Sequence, residues 1–261
     1  MYLCTMENYT SRKEYLKKLF GYKDQDLIKV ITGLRRSGKS TLLEMYRAEL
    51  LKFGIASSQI VSLNFEEMEL RKYLNDLDNL YSHIIGQLDL SKPCYVFLDE
   101  VQNLSEFERL VDGLFVKPNV DVYITGSNAL LLSGELATLL SGRYIEISIL
   151  PFSFNEYLTA RNIDKSNKYL NYEPLFFDYV NETSLPKGVE LREGGYDKVY
   201  EYLEAIYNTI IEKDITQRHQ IYDKRAFGNI VKFVASNIGN TLSPGNIAKT
   251  LKQDRQATHN T

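Results

Sequence analysis

The sequence is poor in the residues that staple small secreted folds or hold metals. Only two cysteines occur among 261 residues, Cys4 and Cys94, far apart and in unrelated contexts. They read as reduced thiols of a cytoplasmic protein rather than a disulfide framework. With three scattered histidines, they offer no zinc site. No apolar run approaches the roughly 20 residues of a membrane helix. The start, "MYLCTMENYTSRKEYL", lacks the basic flank and apolar core of a secretory signal. Charge of either sign is not in excess: 31 basic against 34 acidic side chains give a net charge of -3. This balance forces neither nucleic-acid nor membrane binding, and it leaves room for a local basic patch. Repeats and low-complexity tracts are absent too.

What remains is an ordinary globular composition, with 44% hydrophobic residues and enough length for one α/β domain and a smaller second one. Ser11 to Phe20 has the spacing of a short amphipathic helix. "LIKVIT" (27–32), "QIVSLNF" (59–65), "CYVFLDE" (94–100), "VDVYITGSN" (120–128) and "YIEISIL" (144–150) read as five strands. Helical patterns separate them: from Ser40 to a stop at Gly54, from about Leu70 to Leu88, and from Ser105 to Val116. For the last of these, Ser105 and Glu108 predict a capping box. Strands alternating with helices predict a parallel sheet covered on both faces. After Pro151 only helical patterns follow: "SFNEYLTA", about Tyr169 to Asn181, and Tyr196 to about Asp214, with a turn-rich patch "SLPKGVELREGG" between the last two. The expected divisions are 1–151, 152–223 and 224–261.

The chemistry starts at "GLRRSGKST", Gly33 to Thr41. Gly33, Gly38, Lys39 and Ser40 satisfy GxxxxGKS/T, with a strand before and a helix after. Glycines let backbone N–H groups turn inward around phosphate oxygens, and the helix N-terminus adds its positive end. Lys39 is placed to reach the β- and γ-phosphates and Ser40 to ligate Mg²⁺. The whole stretch Gly33, Leu34, Arg35, Arg36, Ser37, Gly38, Lys39, Ser40 and Thr41 is the candidate nucleotide cradle. Two readings stand for Arg35 and Arg36: solvated or carboxylate-paired structural side chains, or contacts to phosphate or a partner.

"YVFLDE" brings an apolar strand to two acids. Asp99 is the candidate Mg²⁺ ligand and Glu100 the candidate base for the attacking water. The strand "VYITGSN" ends in Thr125, Ser127 and Asn128, polar groups suited to hold water or the γ-phosphate. Arg143, before the fifth strand, is either a surface side chain or a cation for a γ-phosphate, in its own chain or in a neighbouring copy of a homo-oligomer. No guanine-reading NKxD-like motif follows the fourth strand, so adenine is the expected base. A small-molecule kinase shares the glycine loop, but the acid pair and polar fourth strand argue for water, not a metabolite, as acceptor.

The motifs in order, "LIKVITGLRRSGKSTLL", "YVFLDEVQN", "YITGSNALLL", "LSGRYIEISILPFSFNEYL" and "IIEKDITQRHQI", resemble the AAA+-type P-loop ATPases, and within them a family of uncharacterised bacterial and archaeal ATP-binding proteins. The resemblance covers nearly the whole chain. It implies a three-layer P-loop NTPase with a five-stranded sheet of order 5-1-4-3-2, an all-α lid and ATP with Mg²⁺ as ligands. It implies a sensor role for Asn128, an arginine-finger role for Arg143 and, at Asn64, either a restraint on Glu100 or a simple strand-end cap. The "GGFP" that the family often has in its lid reads Gly194-Gly195-Tyr196-Asp197 here, without the proline.

The tail resembles the start of a winged helix, with Ser243 capping, Pro244 opening "PGNIAKTL", and a third helix expected from Arg255 after a turn. Related proteins continue further, so the chain reads as truncated. In a DNA-binding reading Lys252, Arg255 and His259 face the nucleic acid; a helical protein-contact module is the other reading. The function expected is Mg²⁺-dependent ATP hydrolysis coupled to lid movement. The alternative is a slow nucleotide-dependent switch.

Overall fold

The computed structural model describes residues 9–126, 140, 142–217 and 219–259, the side chains of 251 and 253–259 excepted. The chain divides into two compact units, Met1–Ile206 and Tyr207–Thr261. In the first unit the order is α1 (Lys13–Gly21), β1 (Ile28–Gly33), α2 (Lys39–Lys52), β2 (Ile60–Asn64), α3 (Leu77–Ile85), β3 (Cys94–Asp99), α4 (Phe107–Phe115), β4 (Val120–Thr125) and β5 (Tyr144–Ile149). Three shorter helices follow: α5 (Phe154–Ala160), α6 (Tyr172–Asn181) and α7 (Pro186–Leu191). Helix α8 (Tyr196–Thr209) spans the boundary between the units.

The five strands form one sheet of order β2-β3-β4-β1-β5, every pairing parallel. This is the expected 5-1-4-3-2 order read from its other edge. Strand β1 is buried along its length because both faces are covered, the condition that makes parallel strands read as continuous apolar runs. Successive side chains then sort to opposite faces. Ile31, Tyr95, Phe97, Tyr123 and Ile147 pack with Leu42, Leu43 and Tyr46 of α2 and Leu19 of α1. Val30, Val96, Leu98, Val122 and Ile124 pack with Leu80 and Ile84 of α3 and Leu110, Val111 and Leu114 of α4. Helix, sheet and helix make three layers. Phe152, Tyr157, Leu158 and Val189 form a separate small cluster among the helices after β5.

Several local expectations fail for physical reasons. The helix expected over Leu70 to Leu88 is a 3₁₀ segment, Met68–Tyr73, followed by α3. Asp76 interrupts it by accepting the N–H of Asn79 at 3.1 Å, a new N-cap inside an apparently continuous pattern. Ser105 does not cap α4. Glu106 holds that position in the left-handed region (φ 52°) without a side-chain cap bond, and the Ser105 hydroxyl meets Asn75 Oδ1 at 3.5 Å. The capping box lies at α5 instead, where Glu156 N–H reaches Ser153 Oγ (3.3 Å) and Glu156 Oε2 accepts the N–H of Ser153 (2.8 Å). The turn-rich patch after Ser184 contains α7, opened by Pro186 at its first turn.

In the second unit, α9 (Lys224–Ser236) starts at Asp223, which accepts the Ala226 N–H at 2.8 Å. Ser243 accepts the Asn246 N–H at 3.2 Å and Pro244 opens α10 (Pro244–His259), as expected. Helix α10 continues through Arg255, so no turn separates it from a third helix. No described helix of the chain is long and apolar enough to cross a membrane.

Candidate functional site

Strand β1 delivers the glycine loop to the C-terminal edge of the sheet, where crevices of open parallel sheets bind ligands. Gly33 is there because its backbone runs against β5. A Cβ built on it meets Ile149 O at 2.5 Å and Ser37 Oγ at 2.9 Å, and φ is +152°. We expect Gly33→Ala to destabilise the protein by about 1–3 kcal/mol, as overpacking does. Gly21→Ala, with nothing within 4 Å of the added carbon, is the control and should leave the melting temperature nearly unchanged. Thermal denaturation checks both.

The loop turns back on itself through the Ser37 N–H to Leu34 O bond (3.1 Å), with Arg36 left-handed at φ 67°. Gly38, also left-handed at φ 97°, is the N-cap of α2 and supplies no side-chain cap. The first turn of α2 carries no acidic residue either, so its N–H groups and positive end are left for an external anion. Lys39 folds back across the loop, donating to Gly33 O (3.2 Å) and Leu34 O (3.3 Å), and is 5% exposed. The Ser37 hydroxyl is buried, with no hydrogen-bond partner among the described residues. Left-handed glycine, uncapped helix start, inward lysine and an orphaned hydroxyl together fit a bound phosphate chain.

The acids arrive on β3, two strands away from β1 with β4 between. Thr125, at the end of β4 and paired in register with Ile31 of β1, donates its hydroxyl to Asp99 Oδ1 and accepts the Glu100 N–H at 3.0 Å. Asp99 is almost fully buried. Glu100 takes a left-handed backbone conformation, φ 56° and ψ 47°, as the chain leaves the strand. Gln102 Nε2 donates to Glu100 Oε2, so a residue two positions on restrains that carboxylate. Asn64 does not: its Oδ1 accepts the Glu66 N–H at 2.9 Å, the strand-end cap of the two readings.

A cavity of about 670 Å³ opens over the loop. Arg35, Arg36, Gly38, Lys39, Ser40 and Thr41 form its floor, and Glu100 and Glu66 also face it. Arg12, Phe152, Pro186 and Tyr202 line it from outside the sheet. Leu34 is exposed, Arg36 is exposed and Arg35 is partly so; Gly33 and Ser37 lie beneath the floor. Pro186 Cγ sits 3.8 Å from a Cβ built on Gly38, so α7 begins directly above the loop. Burial lifts the Tyr202 phenol above its usual range, and the Arg36 charge partly offsets this.

Arg143 is not brought to this place. Its carbonyl accepts the Ile28 N–H at 2.9 Å and its guanidinium lies 6.0 Å from the Phe115 ring centre, at the start of β5. Tyr144 pairs with Ile28 and Ile149 with Gly33, so the length of β1, about 17 Å, separates Arg143 from the loop of its own chain. Arg143 and the glycine loop thus stand at opposite ends of β1. Asn128 and Ser127 lie outside the described residues, as do the side chains of Arg255 and His259; Lys252 is exposed. Sequence reasoning missed Arg12, Gln102 and Tyr202. Arg12 stands in "SRKEYLKK", where its charge looks like any other on a solvated helix face.

The model of the AAA domain family matches residues 25–158. An uncharacterised protein of Haemophilus influenzae is 40% identical over 251 residues, which is 96% of this chain and 61% of that protein. An uncharacterised protein of Methanocaldococcus jannaschii is 28% identical over 236 residues, 87% of this chain and 50% of that protein. The chain thus spans about half the length of the curated relatives it matches. Among solved structures, the Walker-type ATPase of Pyrococcus abyssi superposes with a TM-score of 0.55 at 16% identity, covering 95% of this chain and 90% of that one. At that identity the likeness is one of fold.

Proposed function

We propose, from the premise that this chain belongs to the AAA domain family, that it binds ATP at the glycine loop and hydrolyses it with Mg²⁺. One observation carries the reading: the uncapped start of α2 behind left-handed Gly38, with Lys39 folded into the same loop. Backbone N–H groups of the loop and the Lys39 ammonium would take the phosphate oxygens. Ser40 and Asp99 would hold Mg²⁺, which when bound supplies charge neutralisation for the phosphates. Glu100, oriented by Gln102 and by the Thr125 bond to its N–H, would take the proton of the attacking water. Phe152, Pro186 and Tyr202 of the non-loop wall belong to the helical stretch after β5, and we assign residues 152–223 as a lid whose position follows the nucleotide. Residues 1–151 would be the ATPase core and 224–261 the contact segment for a further partner. Because Arg143 stands at the far edge of the sheet, its finger role requires a neighbouring copy.

Lys39→Ala tests the loop. Losing a charge-assisted contact to the phosphates should weaken ATP binding by about 10- to 150-fold, measured by calorimetry on protein with native circular dichroism. Wild-type affinity in the variant would remove the loop as the nucleotide site.

A further inference from the structure

Arg12 is a buried cation that neither the loop motif nor the acid pair uses. It is 4% exposed, and a charge is kept at such a place only when its partners are close. Three separate segments supply them. Nη1 donates to Ser37 O of the glycine loop at 3.2 Å. Nη2 donates to Leu150 O, just past β5, at 2.7 Å. Nε stands 2.9 Å from Glu156 Oε1 of α5, an ion pair rather than an aligned hydrogen bond. The Phe152 and Tyr15 rings lie 5.4 and 4.7 Å from the guanidinium carbon and fix its plane. Glu156 is itself held, since its other oxygen closes the capping box with Ser153.

The contact at Ser37 has a consequence for the loop. In a trans peptide the C=O and the following N–H point in opposite directions. Holding the Ser37 carbonyl against Arg12 therefore turns the Gly38 N–H the other way, to the side facing away from the guanidinium. Gly38, at φ 97°, has no Cβ, so φ of either sign is open to it and no steric barrier of its own holds the Ser37–Gly38 peptide in one orientation.

We propose that Arg12 is a positioning residue of the nucleotide site: it presets the Ser37–Gly38 peptide so that the Gly38 N–H faces the phosphates, and through Glu156 it ties that peptide to α5. The proposal rests on the nucleotide reading above. Binding to a preset loop avoids the cost of ordering it, so the effect belongs in affinity. A purely structural arginine would lower the stability of the free protein and leave the affinity of the folded fraction alone.

The test is ADP affinity of wild type, Arg12→Ala and Arg12→Lys, together with the melting temperature of each free protein. Arg12→Ala should bind ADP about tenfold or more weakly, the scale of one charge-assisted hydrogen bond. Arg12→Lys should not restore affinity, because one ammonium cannot span three acceptors that a planar fork reaches. Unchanged affinity in folded Arg12→Ala overturns the proposal and leaves the nucleotide reading standing. Full rescue by lysine overturns it as well, reducing the role to charge alone. If Arg12→Ala does not fold, Arg12→Lys decides by the same two outcomes. A wild-type protein that fails to bind ADP overturns both readings together.

Discussion

Glu100→Gln is expected to lower steady-state phosphate release by about 10²- to 10⁴-fold, the usual contribution of a positioned general base. The substitution keeps the shape of the side chain, and the new amide oxygen can still accept from Gln102 Nε2. The Thr125 bond runs to the Glu100 backbone N–H and does not depend on the side chain. Nucleotide affinity should therefore stay close to wild type while turnover falls, a loss confined to kcat. Equal turnover in wild type and variant sinks the assignment of Glu100. A wild type that copurifies with nucleotide and turns over far below about 1 s⁻¹ favours the switch reading, since the base then has little rate to lose. The same assay run against protein concentration tests Arg143. If that residue acts on a neighbour's nucleotide, specific activity rises with concentration in wild type and not in Arg143→Ala.

The inner strand "CYVFLD" was legible because a strand covered on both faces writes itself as a short continuous apolar run, whereas the partly exposed edge strands β2 and β5 were legible from apolar residues alternating with polar ones. The order of the strands was not contained in periodicity. It came from the resemblance, and the pairings of β1 with both β4 and β5 agree with it. Helix boundaries failed where a local polar contact outcompeted the pattern. Asp76 looks like one more surface acid between Leu74 and Leu77, yet its cap divides the segment. Ser105 and Glu108 have the spacing of a capping box, but Ser105 is drawn to the Leu74–Asn75 turn, a contact between segments distant in sequence. The site shows the same division. Lys39, Ser40, Asp99 and Glu100 belong to contiguous motifs and could be named. Arg12 acquires meaning only because the fold carries it 25 residues along the chain to Ser37 and 138 residues to Leu150.

Lys29→Met should cost about 3–5 kcal/mol of folding stability at neutral pH, the scale for breaking one side of a buried ion pair. Lys29 is fully buried on the α1/α2 face of β1, an ammonium where the alternation would place an aliphatic side chain. It donates to Asp121 Oδ1 and to Gln25 O (2.8 Å), and lies 5.5 Å from the Tyr123 ring centre. The other Asp121 oxygen accepts from the Asp24 N–H (2.9 Å) and the Tyr123 hydroxyl (2.8 Å). Burial pushes the Asp121 carboxyl above the usual carboxylate range, and Lys29 pulls it back down. Removing Lys29 takes away the strongest opposition to burial and leaves only the Asp24 N–H and the Tyr123 hydroxyl to favour the carboxylate, so the folded variant holds the protonated acid more readily than the wild type does. The folded variant binds the extra proton, and its deficit should shrink as pH falls from 7 towards 5. Urea denaturation of Lys29→Met, Asp121→Leu and the double variant at both pH values checks this. The double variant should lose much less than the sum of the singles, because it leaves no unpaired charge; it still strands the Asp24 N–H, while the Tyr123 hydroxyl keeps the Tyr46 hydroxyl at 3.0 Å. The pair stands towards the N-terminal ends of β1 and β4, away from the glycine loop. ADP affinity of the folded variants should accordingly remain at wild-type level, the opposite pattern from Arg12→Ala. Additive losses would show that the two groups are stabilised independently by their other partners.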